Sequence, residues 1–315
     1  MIEIAVDIMG ADNSATQLFG GVTKALDNNK DLKVVVFGDE RELSSYNIEK
    51  YGDRIEIIDA PDAITNDENP VEAFGLKKDA SIVKAFKYLR GGSASGFVTC
   101  GATGAVFVAA MMTLKKIGYV TLVCEPKKTD GRPFVIADCG ANVDCRPDKI
   151  IGFSHMGVAY MKSIGCNNPR VGLLSNGAED KKGNEFTKKA NELLRNSNIN
   201  FVGNVEGNDI FTCDADVIVC DGFSGNILLK TIEGTAKSVI AEARSLGIEG
   251  DALDTLYDRY NYTECGGATL LGFSVPIVKG HGAATAATVK SIIDSAYTLA
   301  KNNIVDKIQS EFKIA

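Results

Sequence analysis

Residues 216–243, DVIVCDGFSGNILLKTIEGTAKSVIAEA, contain the sequence pattern of a strand, a glycine turn and a helix in succession. The β-branched run Asp216 to Cys220 predicts a strand, and the glycines that follow Asp221 predict a tight turn. Apolar side chains then recur one turn apart, which predicts a helix over Asn226 to Ala243. Repetition of this strand–turn–helix unit along a chain is typical of a parallel sheet packed against helices.

The same unit recurs before and after this stretch. A second amphipathic helix is predicted over Thr16 to Asn28. Strands are predicted over Ile2 to Asp7, Leu32 to Phe37, Arg54 to Asp59, Gly96 to Thr99, Val120 to Cys124, Phe134 to Asp138, Val171 to Leu174, Asp216 to Cys220 and Ser274 to Val278. We therefore predict an α/β fold with a mostly parallel sheet and helices on both faces. One domain is expected over residues 1–315, with a hairpin or turn at 127–133 and a helical excursion near 244–264.

Composition excludes several classes of protein. The 315 residues hold 34 Lys and Arg against 41 Asp and Glu, a net charge of −7, which argues against a nucleic-acid binder. The apolar run Ala105 to Met112 is far shorter than the roughly 20 residues of a spanning helix. The N-terminus predicts no signal peptide. The eight cysteines form no C-x-x-C pair, so we expect reduced thiols in a cytoplasmic protein and no metal.

Six predicted strands run into glycine-rich turns, at 9–13, 100–104, 140–144, 176–180, 221–226 and 280–283. The carboxyl ends of parallel strands share one edge of a sheet, where ligands bind. Glycine lets a backbone approach a ligand closely, and helix N-termini offer N–H groups to anions. The turns therefore predict a cleft that handles phosphate. No phosphate-binding loop, dinucleotide fingerprint or nucleophile elbow is present, which argues against a nucleotide hydrolase, a dinucleotide enzyme and a serine hydrolase.

General bases are scarce, because the chain has two histidines. His155 lies in a predicted helix and is interpreted as structural, whereas His281 lies between two glycines and is a site candidate. Scarce bases favour a nucleophile that is already anionic, such as phosphate attacking a thioester carbonyl. The protein then supplies position, cations and oxyanion donors. Lys78, Lys182 and Lys230 are candidate phosphate ligands, and a solvated helix face is the alternative for each.

The turn after Asp221 makes the most specific anion prediction. We expect phosphate near the helix that follows it, with Gly222, Gly225, Asn226 and Lys230 close by, and with Ser224 or Gly225 starting the helix. The alternative is that these glycines only let the helix pack on the strand. Lys182 and Asn184 of the 176–184 loop are expected to line the same cleft.

Seven motifs, in order along about the whole chain, resemble those of the bacterial phosphate acyltransferases of phospholipid synthesis, the PlsX family. They are IAVDIMGAD at 4–12, DCGANVD at 138–144, PRVGLLSNG at 169–177 with KKGNE at 181–185, FVGNVEG at 201–207, DGFSGNILLKT at 221–231, GGATLLG at 266–272 and KGHG at 279–282. The resemblance implies reversible transfer of a fatty acyl group from acyl-acyl carrier protein to inorganic phosphate, giving acyl phosphate. It also implies a fold like isocitrate and isopropylmalate dehydrogenases and phosphotransacetylase, a homodimer, no cofactor, and a cytoplasmic location with at most peripheral membrane contact.

Site residues follow from the turns and from the matching motif positions. The catalytic candidates are Lys182, Asn184, Asp221, Lys230 and His281. The candidates for binding substrate or phosphate are Asp7, Gly10, Asp12, Lys78, Thr103, Gly104, Asn142, Asp144, Asn204, Glu206, Gly222, Gly225 and Asn226.

Some positions depart from the family pattern. Asn13 stands in place of a histidine, Ala11 of a glycine, Ala80 of a serine and Ala102 of an asparagine. Two further readings therefore stay open: an acetyl-phosphate-forming subunit of a reductase complex, and a catalytically weak paralogue that binds a carrier protein. An NAD-dependent hydroxyacid dehydrogenase rests on fold analogy alone, and the sequence lacks its nucleotide loop and clustered carboxylates.

An acidic chain that binds an acidic carrier protein needs a local basic patch. The candidates are Lys127, Lys128 and Arg132, or Arg244 and Arg259. In the excursion from Leu246 to Glu264, three apolar side chains at helical spacing lie among acids, and an anionic membrane repels acids. We therefore expect this segment to pack on a core or a dimer partner, with weak or no autonomous membrane binding.

Overall fold

A computed structural model describes residues 1–261 and 266–314. Cys265 and residues 262–264 of the predicted excursion lie outside the described residues. The strands of the described chain are β1 (Ile2–Asp7), β2 (Leu32–Gly38), β3 (Ile55–Asp59), β4 (Gly96–Thr99), β5 (Lys116–Cys124), β6 (Val135–Ala137), β7 (Val171–Ser175), β8 (Phe201–Glu206), β9 (Val217–Val219), β10 (Ala268–Phe273) and β11 (Ile277–Lys279).

The α-helices alternate with these strands for most of the chain. They are α1 (Ala15–Asn28), α2 (Glu40–Leu43), α3 (Pro70–Leu76), α4 (Ser81–Arg90), α5 (Thr103–Thr113), α6 (Lys149–Ser163), α7 (Glu185–Arg195), α8 (Gly222–Ser245), α9 (Asp251–Tyr260), α10 (Ala286–Lys301) and α11 (Ile304–Ile314). Within the two described ranges, no helix has both the length and the apolar character needed to cross a bilayer.

Tertiary contacts group the chain into two compact units. Unit 1 contains residues 1–117 and 266–305, and its strands lie in the order β3-β2-β1-β4-β11-β10. All its neighbouring strands are parallel except the antiparallel pair β10 and β11. The single domain predicted for residues 1–315 stays a prediction.

Unit 2 contains residues 118–261 and 306–314, and its strands lie in the order β5-β6-β9-β7-β8. Here β5 is antiparallel to β6, and the other neighbours are parallel. The prediction of a mostly parallel α/β fold is confirmed.

Burial explains the apolar run at the centre of β1 and the apolar sequence of β9. Ile4, Ala5 and Val6 of β1 are fully buried, as are Val217 and Ile218 of β9. Successive side chains of a strand point to opposite faces of the sheet, so both faces are covered at these strands.

Some element boundaries differ from the sequence prediction. The predicted strand Ser274 to Val278 is wrong at its start, because residues 274–276 form the connection between antiparallel β10 and β11. Pro276 in this connection has no N–H for a strand ladder. Strands β8 and β10 were not predicted as strands. The hairpin at 127–133 is confirmed, since Lys127 and Pro133 form an antiparallel bridge.

Candidate active site

Three neighbouring strands of unit 1 end at one edge with polar side chains. Asp7 ends β1, Thr99 ends β4 and Lys279 ends β11. These strands are parallel, so their carboxyl ends lie together, as the glycine turns predict. Sequence reasoning included Asp7 among the site residues and missed Thr99 and Lys279.

Asp7 is buried at this edge and acts as an acceptor for two loops. The Met9 N–H donates to its Oδ1 and the Thr99 hydroxyl to its Oδ2, each at 3.0 Å. Thr99 Oγ1 in turn accepts from the Gly101 N–H at 2.9 Å. Burial raises the pKa of Asp7 to about 6, against hydrogen bonds from Ser81, Met9 and Thr99 that lower it. The carboxylate therefore holds the loops at 9–13 and 99–104 in place.

The loop at 9–13 is also joined to the loop at 280–284. The Asp12 N–H donates to the Gly282 carbonyl at 2.9 Å, and the Asn13 side chain donates to the Ala284 carbonyl at 2.8 Å. Nδ1 of half-buried His281 accepts from the Ala283 N–H at 3.2 Å. Asn13, which departs from the family pattern, thus has a structural role, while the Asp12 carboxylate is exposed.

The positive groups at this edge lie beside the loop at 99–104. Nζ of Lys279 donates to the Gly280 carbonyl at 2.6 Å, and its charge acts on the buried Cys100 thiol. Burial nevertheless raises the pKa of Cys100 to about 12, so this thiol is protonated at neutral pH and is no nucleophile. Two residues further on, Ala102 occupies the N-cap position of α5 without a side-chain capping bond, and the exposed first residues of this helix are Thr103 and Gly104.

The structure gives the predicted phosphate ligand Lys78 and its neighbour Lys77 different surroundings. Lys78 lies in an exposed turn. Lys77 Nζ donates to the Ala63 carbonyl at 2.8 Å and pairs with Glu68 at 3.0 Å. A Cβ at Gly10 would contact Ala63 and the Ile64 carbonyl oxygen. Because Lys77 donates to the Ala63 carbonyl, it is bound to the backbone beside the Gly10 turn. Adjacent lysines give no sequence signal that separates the two.

In unit 2, Asp138 follows β6 and organises the turn after it. Its Oδ1 accepts from the N–H groups of Leu122 at 2.8 Å and Ala141 at 3.1 Å. Its Oδ2 accepts from the Asn142 N–H at 2.6 Å and the Asn142 side chain at 2.9 Å. Burial raises the pKa of Asp138 and these donors oppose the rise. Asn142 also donates to Val120, so it is a structural residue of the turn, whereas Asp144 is exposed.

Helix α8 packs tightly on this turn through two glycines. A Cβ at Gly225 would overlap the Asp138 carbonyl oxygen, and one at Gly222 would lie 2.7 Å from the Asn142 carbonyl oxygen. The helix begins at Gly222, with Asp221 as N-cap, so the expected start at Ser224 or Gly225 is wrong. The reason is that the Asp221 carboxylate captures the Ser224 N–H at 2.8 Å.

Most donors of that first turn already have partners. The Gly222 N–H donates to Asn142, and those of Ser224 and Gly225 donate to Asp221. Only the Phe223 N–H of these four residues is left for an anion. Lys230 lies eight residues along α8 from its start, about 12 Å at the helical rise. It is 57% exposed and pairs with Glu233 at 3.0 Å, while Asn226 is exposed on the first turn.

Two predicted site residues, Asn204 and Glu206, form hydrogen bonds to the backbone of the loop at 176–184. The Asn204 side chain donates to the Glu179 carbonyl at 2.9 Å, and Glu206 Oε1 accepts from the Ala178 N–H at 3.1 Å. Lys182 is exposed, and its aliphatic chain lies over Gly177. Asn184 caps α7, where its Oδ1 accepts from the Thr187 N–H at 2.8 Å and hydroxyl at 3.0 Å.

A cleft of about 370 Å³ lies at the carboxyl ends of β7 and β9 in unit 2. It brings Asn184 and Asp221 together, as predicted, and Lys182 is not among its lining residues. Its lining is formed by Leu173, Leu174, Ser175, Asn176, Gly183, Asn184, Phe186, Thr187, Cys220, Asp221 and Ser224. Asp221 is the one charged side chain in this lining.

Other predicted residues have structural roles. His155 is buried in α6 with Nδ1 3.5 Å from Glu311, in agreement with the structural interpretation. The expected patch of Lys127, Lys128 and Arg132 is wrong at Lys128, which is 1% exposed because its Nζ donates to the Cys213 carbonyl at 2.8 Å. In the other expected patch, Arg244 is paired with Asp254 at 2.6 Å.

The thiols and carboxylates of the described residues form no metal centre. Cys100, Cys124, Cys139 and Cys220 are free and buried. Over residues 1–261 and 266–314, no three side chains of His, Cys, Asp or Glu converge as metal ligands would.

Comparison with known proteins gives full-length matches. The family model described as fatty acid synthesis protein matches residues 2–307. A phosphate acyltransferase of Clostridium acetobutylicum is 36% identical over 98% of both chains. One of Geobacillus thermodenitrificans is 36% identical over 99% of both chains.

Solved structures agree on the fold. A branched-chain phosphotransacylase from Enterococcus faecalis has a TM-score of 0.63 at 17% identity, covering 95% of this chain and 99% of its own. A phosphotransacetylase from Staphylococcus aureus has a TM-score of 0.60 at 15% identity, covering 96% of this chain and 94% of its own. At this identity they show the fold alone, and they confirm the predicted likeness to phosphotransacetylase. From the full-length family match and the relatives at 36% identity, the chain belongs to the fatty acid synthesis protein family, that of the phosphate acyltransferases.

Proposed function

We propose that this chain transfers a fatty acyl group from an acyl thioester to inorganic phosphate, giving acyl phosphate for phospholipid synthesis. The observation that supports this most strongly is the relation to phosphate acyltransferases over 98% of the chain. Acyl carrier protein is the proposed donor, and a homodimer in the cytoplasm with at most peripheral membrane contact is the proposed setting.

The proposed reaction needs no base to activate the nucleophile. A phosphate oxygen forms a bond to the thioester carbonyl carbon, the tetrahedral intermediate collapses, and the C–S bond breaks. The sulfur keeps the electron pair and takes the proton that the phosphate hydroxyl releases, so the products are acyl phosphate and a free thiol. The protein contributes position and charge stabilisation.

The unit 1 edge suits the phosphate. Lys279 supplies a cation beside the loop at 99–104, and the first turn of α5, with Thr103 and Gly104, supplies N–H groups. His281, half-buried in the adjoining loop, is proposed to interact with the same anion. Asp7 acts here as a positioning residue, since its oxygens are directed to Met9 and Thr99.

Unit 2 contributes the remaining candidates. Asn184 and Asp221 line one cleft and are proposed to contact the acyl donor. Lys182 and Lys230 are exposed, so their proposed role is limited to attracting anions from solution.

The experiment measures phosphate-dependent release of free thiol from acyl-acyl carrier protein, acyl-coenzyme A and acetyl-coenzyme A. We expect the long-chain carrier-protein donor to react fastest. Fastest turnover of the acetyl donor would instead favour the acetyl-phosphate-forming alternative, and no release from any donor would contradict the proposed function.

A lysine variant tests the phosphate site. Lys279→Met is expected to raise the KM for phosphate by about 10-fold, because one charge-assisted contact is lost. Lys87→Met, an exposed lysine of α4, is the matched control and should leave this KM unchanged.

A further inference from the structure

The cleft of about 370 Å³ in unit 2 has a lining that does not suit phosphate. Its one charged side chain is a carboxylate, Asp221, and no lysine, arginine or histidine is among its lining residues. The Asp221 carboxylate would repel a phosphate dianion there. Most backbone N–H groups at the neighbouring N-terminus of α8 already donate to protein acceptors.

The same lining suits a neutral chain that alternates amides with hydrocarbon. Asn176 and Asn184 present side-chain amides, and Ser224 presents a hydroxyl oxygen. Asn184 uses its Oδ1 to cap α7, so its Nδ2 is the part of the amide that would donate to a ligand carbonyl. Leu174 and Phe186 supply apolar contact between these polar groups.

Ser175 gives a second observation that points to a ligand. This residue ends β7 and lines the cleft, and its Oγ is buried without a hydrogen-bond partner in the described part of the chain. Buried hydroxyls are nearly always hydrogen-bonded in native structures. A ligand or an ordered water in the cleft would supply the missing partner.

We propose that this cleft binds the pantetheine arm of the acyl donor, the neutral amide chain through which both coenzyme A and acyl carrier proteins hold a thioester. The inference rests on the proposed function for the identity of the donor. In this arrangement Asn184 Nδ2 donates to an arm carbonyl, Asp221 accepts from an arm N–H, and Phe186 packs on the methylene groups. Asn184 and Asp221 are then binding residues for the donor and not for phosphate.

Free pantetheine is the first probe. Its binding is measured through shifts in the backbone amide resonances of the 15N-labelled protein. We expect pantetheine to shift the resonances of Asn176, Asn184 and Thr187, and inorganic phosphate to leave them in place. Phosphate shifts in the cleft without pantetheine shifts would overturn the proposal. Coenzyme A, holo carrier protein and apo carrier protein, which lacks the arm, then separate the two sources of the arm.

Asn184→Asp tests the contact, because aspartate caps a helix as well as asparagine while the amide donor is lost. We expect the Kd for pantetheine to rise by about 10-fold, and Asn208→Asp, an exposed residue of the same unit, to leave it unchanged. Should Asn184→Asp unfold the protein, Asn176→Asp in the same cleft provides the same comparison. An unchanged Kd in a folded cleft variant would contradict the proposal. If the variants still release thiol in the presence of phosphate and bind pantetheine with an unchanged Kd, this inference is wrong. The proposed function is then unaffected.

Discussion

At the scale of single residues, Asp7 shows how a carboxylate in a family motif can act through other groups. It is 3% exposed, and its acceptors are directed to Met9 and Thr99, each at 3.0 Å. Through Thr99 it fixes Gly101, which belongs to the glycine turn before α5. The motif residue Asp7 therefore positions the loops of the site through hydrogen bonds.

The raised pKa of Asp7 predicts a pH dependence of stability. Its pKa rises from 3.8 to about 6 on folding, so between these values the unfolded chain releases the proton and the folded chain keeps it. The stability contribution is present below pH 3.8 and is lost as the pH rises through about 6. At 1.36 kcal/mol per pKa unit, the loss is about 3 kcal/mol.

Asp7→Asn removes this titration. We expect the free energy of unfolding of the wild type, relative to the variant, to fall by about 2 kcal/mol between pH 4 and pH 7, because part of the full change lies below pH 4. Urea unfolding of both proteins at several pH values measures the difference. A difference that stays constant over this range would contradict the burial of an ionisable Asp7.

Side-chain placement was the part of the site that the sequence predicted least well. Asn184 and Asp221 share a cleft as expected, because each follows a strand of the same parallel sheet. Lys128 is buried, since its ammonium reaches the Cys213 carbonyl across 85 residues of sequence. Such a pairing depends on tertiary contacts that no local pattern records.

At the scale of elements, helix α8 is positioned by the absence of two side chains. Gly225 and Gly222 bring its first turn against the backbone of Asp138 and Asn142. This close approach is the alternative that the sequence left open for these glycines, and it places Asp221 at the cleft. Glycine at such a point is required by space, since neither residue has a positive φ.

Two glycine substitutions on this helix should have opposite effects. Gly225→Ala would place a Cβ into the Asp138 carbonyl oxygen, so we expect a loss of about 3 kcal/mol in the free energy of unfolding. Gly234→Ala, where nothing lies within 4 Å, should stabilise the helix by about 1 kcal/mol. Urea denaturation of both variants measures the two free energies of unfolding. Equal midpoints would mean that α8 does not pack closely on the turn after Asp138.

The sequence predicted most strands, and the two that it missed have a common cause. β8 (Phe201–Glu206) contains Gly203 and Asn204, and β10 (Ala268–Phe273) contains Gly272. Glycine and asparagine are depleted in strands, so propensity argues against these segments. Pairing of β8 with β7 and of β10 with β11 overrides this low strand propensity.

Across the whole chain, the described part of the excursion after α8 is one of the places where large apolar side chains are exposed. No residue of α9 is buried, so the expectation of core packing is wrong for this helix within one chain. Leu246, Ile248 and Leu256 are 73%, 55% and 43% exposed. Exposed apolar side chains that form a patch are typical of a surface that another molecule covers, and we predict such a cover here.

The charges around this surface distinguish a second protein copy from a membrane. The same stretch of sequence contains the acids Glu249, Asp251, Asp254 and Asp258, and Arg244 is paired with Asp254. Near an anionic membrane each acid costs about 1 kcal/mol. A second copy of the chain can cover the apolar side chains and leave the acids in solvent at the rim of the contact. We therefore expect the wild type to sediment as a dimer and to stay with the protein fraction when floated with phosphatidylglycerol vesicles. Leu246→Ser with Leu256→Ser should give a monomer, and Val71→Ser, an exposed valine of α3, should not. Strong flotation that disappears in the double variant would show instead that the apolar residues enter a lipid surface.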